Sequence, residues 1–239
     1  MPKNSDVNES DFRTHLEIAI RTLANEFLQT PYTFFTEADA VSHFQLLLEN
    51  DPVINRKVES QDKFVTDLVH REYPTFFRFS DKNPTTRLGS PASRGHYDTV
   101  ILNPEFVAAH PIEVVTNRNI SAKRDRAIPP FRAVIEFKLE HIGWSTGSSM
   151  GVIAELGKLR LSEEAPLRYF VVLMRYTAPT DARWEKYWPK VKEAAIQNPE
   201  IGNLFAIWGR RAKKEAQIFR YGCWSQSDKV SSQSRPADC

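Results

Sequence analysis

Apolar positions recur three and four residues apart over 10–29, where Phe12, Leu16, Ala19, Ile20, Leu23 and Phe27 fall on one stripe. That spacing predicts an amphipathic helix, which Pro31 stops. The residues before it, 1–8, read as a frayed tail. Thr36 is a good N-cap for a second helix over 37–49, and Asp39 three residues later nearly completes a capping box. This helix would bury Val41, Phe44, Leu47 and Leu48, and Asp51-Pro52 ends it.

The period then changes. Residues 68–79 (LVHREYPTFFRF) are rich in strand formers, with Pro74 marking a bulge or an edge. The polar run SDKNPTTRLGSPASRG has the composition of a loop. Residues 96–102 (HYDTVIL) predict a strand broken by Asn103-Pro104, and 104–116 a short helix or irregular chain. Pro129-Pro130 precedes a strong strand over 131–139 (FRAVIEFKL). The loop GWSTGSSMG leads into a helix over 149–161 carrying Val152, Ile153, Leu156 and Leu159. Residues 167–176 (LRYFVVLMRY) form an apolar run of the kind buried on both faces of a sheet. A further helix over 181–197 places Trp184, Tyr187, Trp188, Val191 and Ala195 on one face. Strands over 204–208 and 216–221 enclose the basic turn GRRAKKE, and SQSDKVSSQSRPADC has the composition of a disordered tail.

Three consecutive strands suggest a meander. The helix between the third and the strand over 167–176 suggests a crossover to a parallel neighbour. The expected fold is therefore an α/β domain over 1–223, a mixed sheet with helices on both faces, followed by a tail over 224–239. No break in composition calls for a second domain.

Composition narrows the class. Of 239 residues, 26% are charged and 41% hydrophobic, a globular balance. No apolar run approaches the ~18 residues of a membrane span. The start MPKNSDVNES lacks the apolar core of a signal peptide, so the expected location is the cytoplasm, with no membrane partner. Two cysteines, Cys223 and Cys239, make neither a disulfide framework nor a CxxC zinc site. Net charge is +2, yet residues 1–119 carry an excess of five acids and 120–239 an excess of seven bases. The basic half suits a polyanion, or is simply a solvated surface.

Two strands carry charge in apolar surroundings. Asp98 interrupts HYDTVIL, and Glu136 and Lys138 interrupt RAVIEFKLE. Alternation puts Glu136 and Lys138 on one face and Ile135, Phe137 and Leu139 on the other. Charging a face of a central strand costs several kcal/mol, in order of magnitude, unless the charges are paired or bind metal. A structural salt bridge would account for Glu136 and Lys138. It would not account for a second carboxylate on the neighbouring strand.

Asp98 followed by Glu136-Phe137-Lys138 resembles the PD-(D/E)xK signature of restriction-endonuclease-like nucleases, in an element order that also fits: helix, three-strand meander, helix, parallel strand. The resemblance covers roughly residues 33–176, leaving an added N-terminal helix and a C-terminal helix with strands. Tyr97 stands where many members have proline. The resemblance implies a nuclease that hydrolyses phosphodiester bonds, most readily in DNA. Mg²⁺ or Mn²⁺ would be held by Asp98, Glu136 and the carbonyl of Phe137, and Lys138 would be the catalytic base or electrostatic partner. Such an ion takes one or two carboxylates plus waters and activates a water while neutralising charge on phosphorus. Glu37 is the candidate for the helical glutamate of the superfamily, although an acid in the first turn is favourable for the helix dipole alone. Nucleases that cut both strands often dimerise, which allows a homodimer. The competing expectation is a nucleic-acid-binding or protein-interaction module on the same fold, without catalysis.

Weaker candidates surround this set. His96 would contact a phosphate or serve as an ordinary strand histidine. Glu72 would approach the metal or form a surface pair, Glu140 continues the Glu136 and Lys138 face at the strand's rim, and Glu155 starts ELGKL on the following helix, where similar nucleases sometimes place a polar residue beside the site. Arg87, Arg94, Lys123, Arg124 and Arg126 lie in or beside the loops next to the acidic strands, where phosphates would pass. Arg210, Arg211, Lys213 and Lys214 form a basic turn. The serines of 143–151 suit capping or a phosphate at a helix N-terminus, without the GK[ST] of a P-loop. Trp184, Tyr187 and Trp188 read as core rather than as a stacking platform.

Overall fold

The computed structural model describes residues 8–78, 94–116, 128–140, 146–162, 164–176, 182–209 and 217–225. Its helices are α1 (Glu9–Gln29), α2 (Glu37–Glu49), α3 (Pro104–Ala109), α4 (Ile112–Val115), α5 (Thr146–Leu161) and α6 (Ala182–Ile196). Its strands are β1 (Val58–Glu59), β2 (Val65–Thr66), β3 (Val69–Arg78), β4 (Arg94–Leu102), β5 (Phe131–Glu140), β6 (Leu167–Arg175), β7 (Gly202–Trp208) and β8 (Gln217–Tyr221).

Six strands form one mixed sheet in the order β3-β4-β5-β6-β7-β8. Strands β3, β4 and β5 are an antiparallel meander. Strand β6 runs parallel to β5 and β7 parallel to β6, each after a helical crossover, and β8 returns antiparallel. Pro74 sits on the edge strand, where a missing N–H is cheap, beside a register shift between Pro74 and Arg78. The sequence did not signal the two-residue pair β1 and β2, which is too short to show alternation. Helix α5 begins at Thr146, ahead of the expected 149, and 104–116 resolves into the two short helices α3 and α4.

Helices cover both faces. Ile135 and Tyr169 stand side by side, and the Tyr169 hydroxyl donates to Glu17 of α1. On the same face Phe137 meets Phe44 of α2, with ring centroids 5.1 Å apart. The opposite row runs from Lys138 through Val172 to Phe205, where Trp188 of α6 packs edge-on at 5.2 Å. Trp184 and Trp188 are buried and stacked on each other at 4.5 Å, so the core reading of that aromatic face holds. Burying one such side chain stabilises the fold by roughly 2–3 kcal/mol.

The C-terminal segment is anchored further along than composition suggested. Gly222 turns the chain at φ +81, and a Cβ there would stand 2.0 Å from the Ile201 carbonyl oxygen, so only glycine fits. Trp224 packs against Tyr169, and Ser225 donates from both its N–H and its hydroxyl to Glu17. The first two residues of the expected tail therefore belong to the packed structure. Residues 226–239 lie outside the described residues. Among the described residues no helix is long and apolar enough to cross a membrane.

Candidate active site at the fork between β4 and β5

The ladder between β4 and β5 runs from Leu102 opposite Phe131 to Thr99 opposite Ile135, and goes no further. Beyond it the strands fork. The amides of a strand alternate sides, so Phe137 and Leu139 turn their N–H groups toward β4 as Ile135 does. Side-chain carboxylates meet both. Asp98 Oδ2 accepts from Phe137 N–H at 2.6 Å, and Glu37 Oε2 accepts from Leu139 N–H at 3.1 Å. The Asp of β4 and the Glu of α2 thus stand where the ladder's acceptors would be.

Glu37 has a local reason for its place. The Thr36 hydroxyl accepts from Asp39 N–H, and the Asp39 carboxylate accepts from Thr36 N–H at 2.8 Å and Phe35 N–H at 3.0 Å. This capping box sets the first turn of α2 and so the position of Glu37. These amides hold the Asp39 carboxyl below its usual range, as its capping role requires. On β3, Arg71 pairs with Thr99 and Tyr73 with Tyr97, while Glu72, opposite Asp98, is exposed at φ 50. A non-glycine residue at positive φ inside a strand marks local strain beside Asp98.

Glu136 is 2% exposed. Burial pushes its carboxyl well above the usual range; the Lys158 ammonium opposes this and the Asp98 charge adds to it. Asp98 is raised to about 6, first by burial, against the Phe137 N–H and with the Glu37 charge behind it. The Asp98 charge is therefore felt at Glu136 across the fork. Lys138 Nζ lies 3.6 Å from Glu37 Oε2, with both side chains about one-third exposed. The ion pair on Glu136 is made instead by Lys158 of α5, whose Nζ is 2.7 Å from Glu136 Oε1 and 2.8 Å from Glu155 Oε2. The same Nζ donates to the carbonyl of His96 at 3.1 Å.

The structure thus brings Asp98, Glu136, Phe137, Lys138 and Glu37 to one fork, and Glu155 beside them. His96 has an exposed side chain and takes part through its carbonyl. Arg94 opens β4; its side chain, like Arg87, Lys123, Arg124, Arg126 and the basic turn 210–214, lies outside the described residues. The sequence reading missed Lys158. Its signal was an acid and a lysine three apart, Glu155 and Lys158, on the helix after the ExK strand.

Among the described residues no three His, Cys, Asp or Glu side chains are grouped to hold a metal ion. The expected donor set asks for two carboxylates and a carbonyl, and that chemistry fits. Asp98 and Glu136 are buried hard oxygen donors, both disfavoured as bare charges. Phe137 turns its carbonyl to the same side as its N–H, toward Asp98. No protein-family model, curated protein or solved structure matches this chain.

Proposed function

We propose that this chain is a metal-dependent nuclease of the PD-(D/E)xK type, on a restriction-endonuclease-like fold, acting on DNA in the cytoplasm. The observation that carries the reading is the convergence of Asp98, Glu136, Lys138 and Glu37 where the β4–β5 ladder opens. Asp98, Glu136 and the Phe137 carbonyl would hold one Mg²⁺ or Mn²⁺, which supplies an activated water and neutralises charge on the phosphate. Lys138, kept at the mouth of the fork by Glu37, would orient the attacking water as a hydrogen-bond donor and stabilise negative charge on phosphorus. Glu37 holds Lys138 and the Leu139 amide together, and so couples α2 to the reacting end of β5. The excess of bases after residue 119 suits the polyanion.

The test is cleavage of DNA with Mg²⁺ or Mn²⁺ by the wild type beside Asp98→Ala and Lys138→Ala. Each variant is expected to lose at least a hundredfold in rate. Equal cleavage by all three refutes the assignment. One observation favours the second reading, a non-catalytic binding module: Glu136 already has a lysine partner in Lys158. Calorimetry separates the two, since an inactive module has no need of Mg²⁺.

A further inference from the structure

Lys158 has the surroundings of a bound cation. Three oxygens face its Nζ: Glu136 Oε1 at 2.7 Å, Glu155 Oε2 at 2.8 Å and the His96 carbonyl at 3.1 Å. The lysine side chain is only 16% exposed and Glu136 2%. Two carboxylates and a carbonyl are the hard donor set that divalent ions take from proteins. Here the positive charge is compact, carried on a flexible stem, and delivered by the helix that also supplies Glu155. Lys138, the lysine of the ExK triplet, is engaged elsewhere, on Glu37.

We propose that the Lys158 ammonium is the resident cation of a pocket formed by Glu136, Glu155 and the His96 carbonyl, and fills the place where a further divalent ion would bind. The chain then takes up one divalent ion fewer than its carboxylates could hold. Only the identity of the remaining ion, at Asp98 and Glu136, rests on the nuclease reading. The lysine neutralises Glu136 without drawing on free metal, and it keeps the buried carboxylate in one orientation while the Asp98 side of the fork stays open to exchange.

The experiment counts Mn²⁺ ions per chain by calorimetry in the wild type, in Lys158→Met, which keeps the length of the side chain without its charge, and in Lys158→Met with Glu155→Gln. Lys158→Met is expected to bind one ion more than the wild type, and the double variant to lose that ion. Equal counts for the wild type and a folded Lys158→Met overturn the proposal. Should Lys158→Met unfold in chelator, excess Mn²⁺ is expected to restore its circular dichroism, and failure to do so overturns the proposal equally. The wild-type count judges the nuclease reading separately. One ion, lost in Asp98→Ala, supports that reading whatever Lys158→Met does. No ion in the wild type but one in Lys158→Met removes the nuclease site and leaves the internal cation standing.

Discussion

Asp98 illustrates how one carboxyl serves two ends. The folded chain keeps its proton up to about pH 6, because burial outweighs the Phe137 N–H and Glu37 adds repulsion. An unfolded aspartate releases its proton near pH ~4. Between those values the folded state holds more protons than the unfolded state, so this group's contribution to stability falls as pH rises through the window. Asp98→Asn removes the titration and keeps an oxygen for the Phe137 N–H. In chelator the variant is expected to be more stable than the wild type at pH 7.5, by an amount on the order of 2 kcal/mol, with the gap closing toward pH 4. Urea unfolding at both pH values measures it, and a gap that does not change with pH contradicts the assignment. The same residue is then unfavourable for the empty fold and required for the proposed chemistry, as expected of a site that holds charge for a metal.

At the scale of the element, the first turn of α2 connects local capping to the site. Thr36 and Asp39 fix the helix start, and Glu37 follows from that start to reach Leu139. Thr36→Ala is expected to cost about 1 kcal/mol in chemical unfolding. It is also expected to loosen Glu37, so cleavage should fall further than the residual folded fraction explains. Activity that tracks the folded fraction alone would detach Glu37 from the site. Helix α2 was legible to the residue, because a capping box and an apolar stripe are both local signals. Strand β5 was legible as central, because an apolar run bounded by Pro129-Pro130 has few other uses. The alternation of β5 placed Glu136 and Lys138 on one face, yet the two side chains are held by different helices, Glu136 by α5 and Lys138 by α2. Period two tells which face a side chain leaves from, not which helix a long side chain reaches.

Across the whole molecule, Glu17 joins segments distant in sequence. It is fully buried and accepts from Arg13, the Tyr169 hydroxyl and both donors of Ser225. Helix α1, strand β6 and the segment after β8 are therefore closed around one carboxylate. Glu17→Ala is expected to cost about 3–5 kcal/mol, the range for breaking a buried charged pair, measured as a lower urea midpoint. A loss below 1 kcal/mol would show the junction to be held by apolar packing of Trp224 and the α1 stripe instead.

For the six-stranded sheet and helices α1, α2, α5 and α6, element type, order and the crossover between β5 and β6 were readable from the chain alone, because helical and strand periods, prolines and caps act over a few residues. That Asp98, Glu136 and Lys138 need partners was readable too, because charge in an apolar strand is costly enough to need a reason. That two carboxylates replace the lost ladder of β5, that Glu17 clasps the C-terminal segment, and that Lys158 rather than Lys138 neutralises Glu136 were not. Those facts depend on where separate helices come to rest against a sheet, and a linear pattern carries no term for distances across a packed interface.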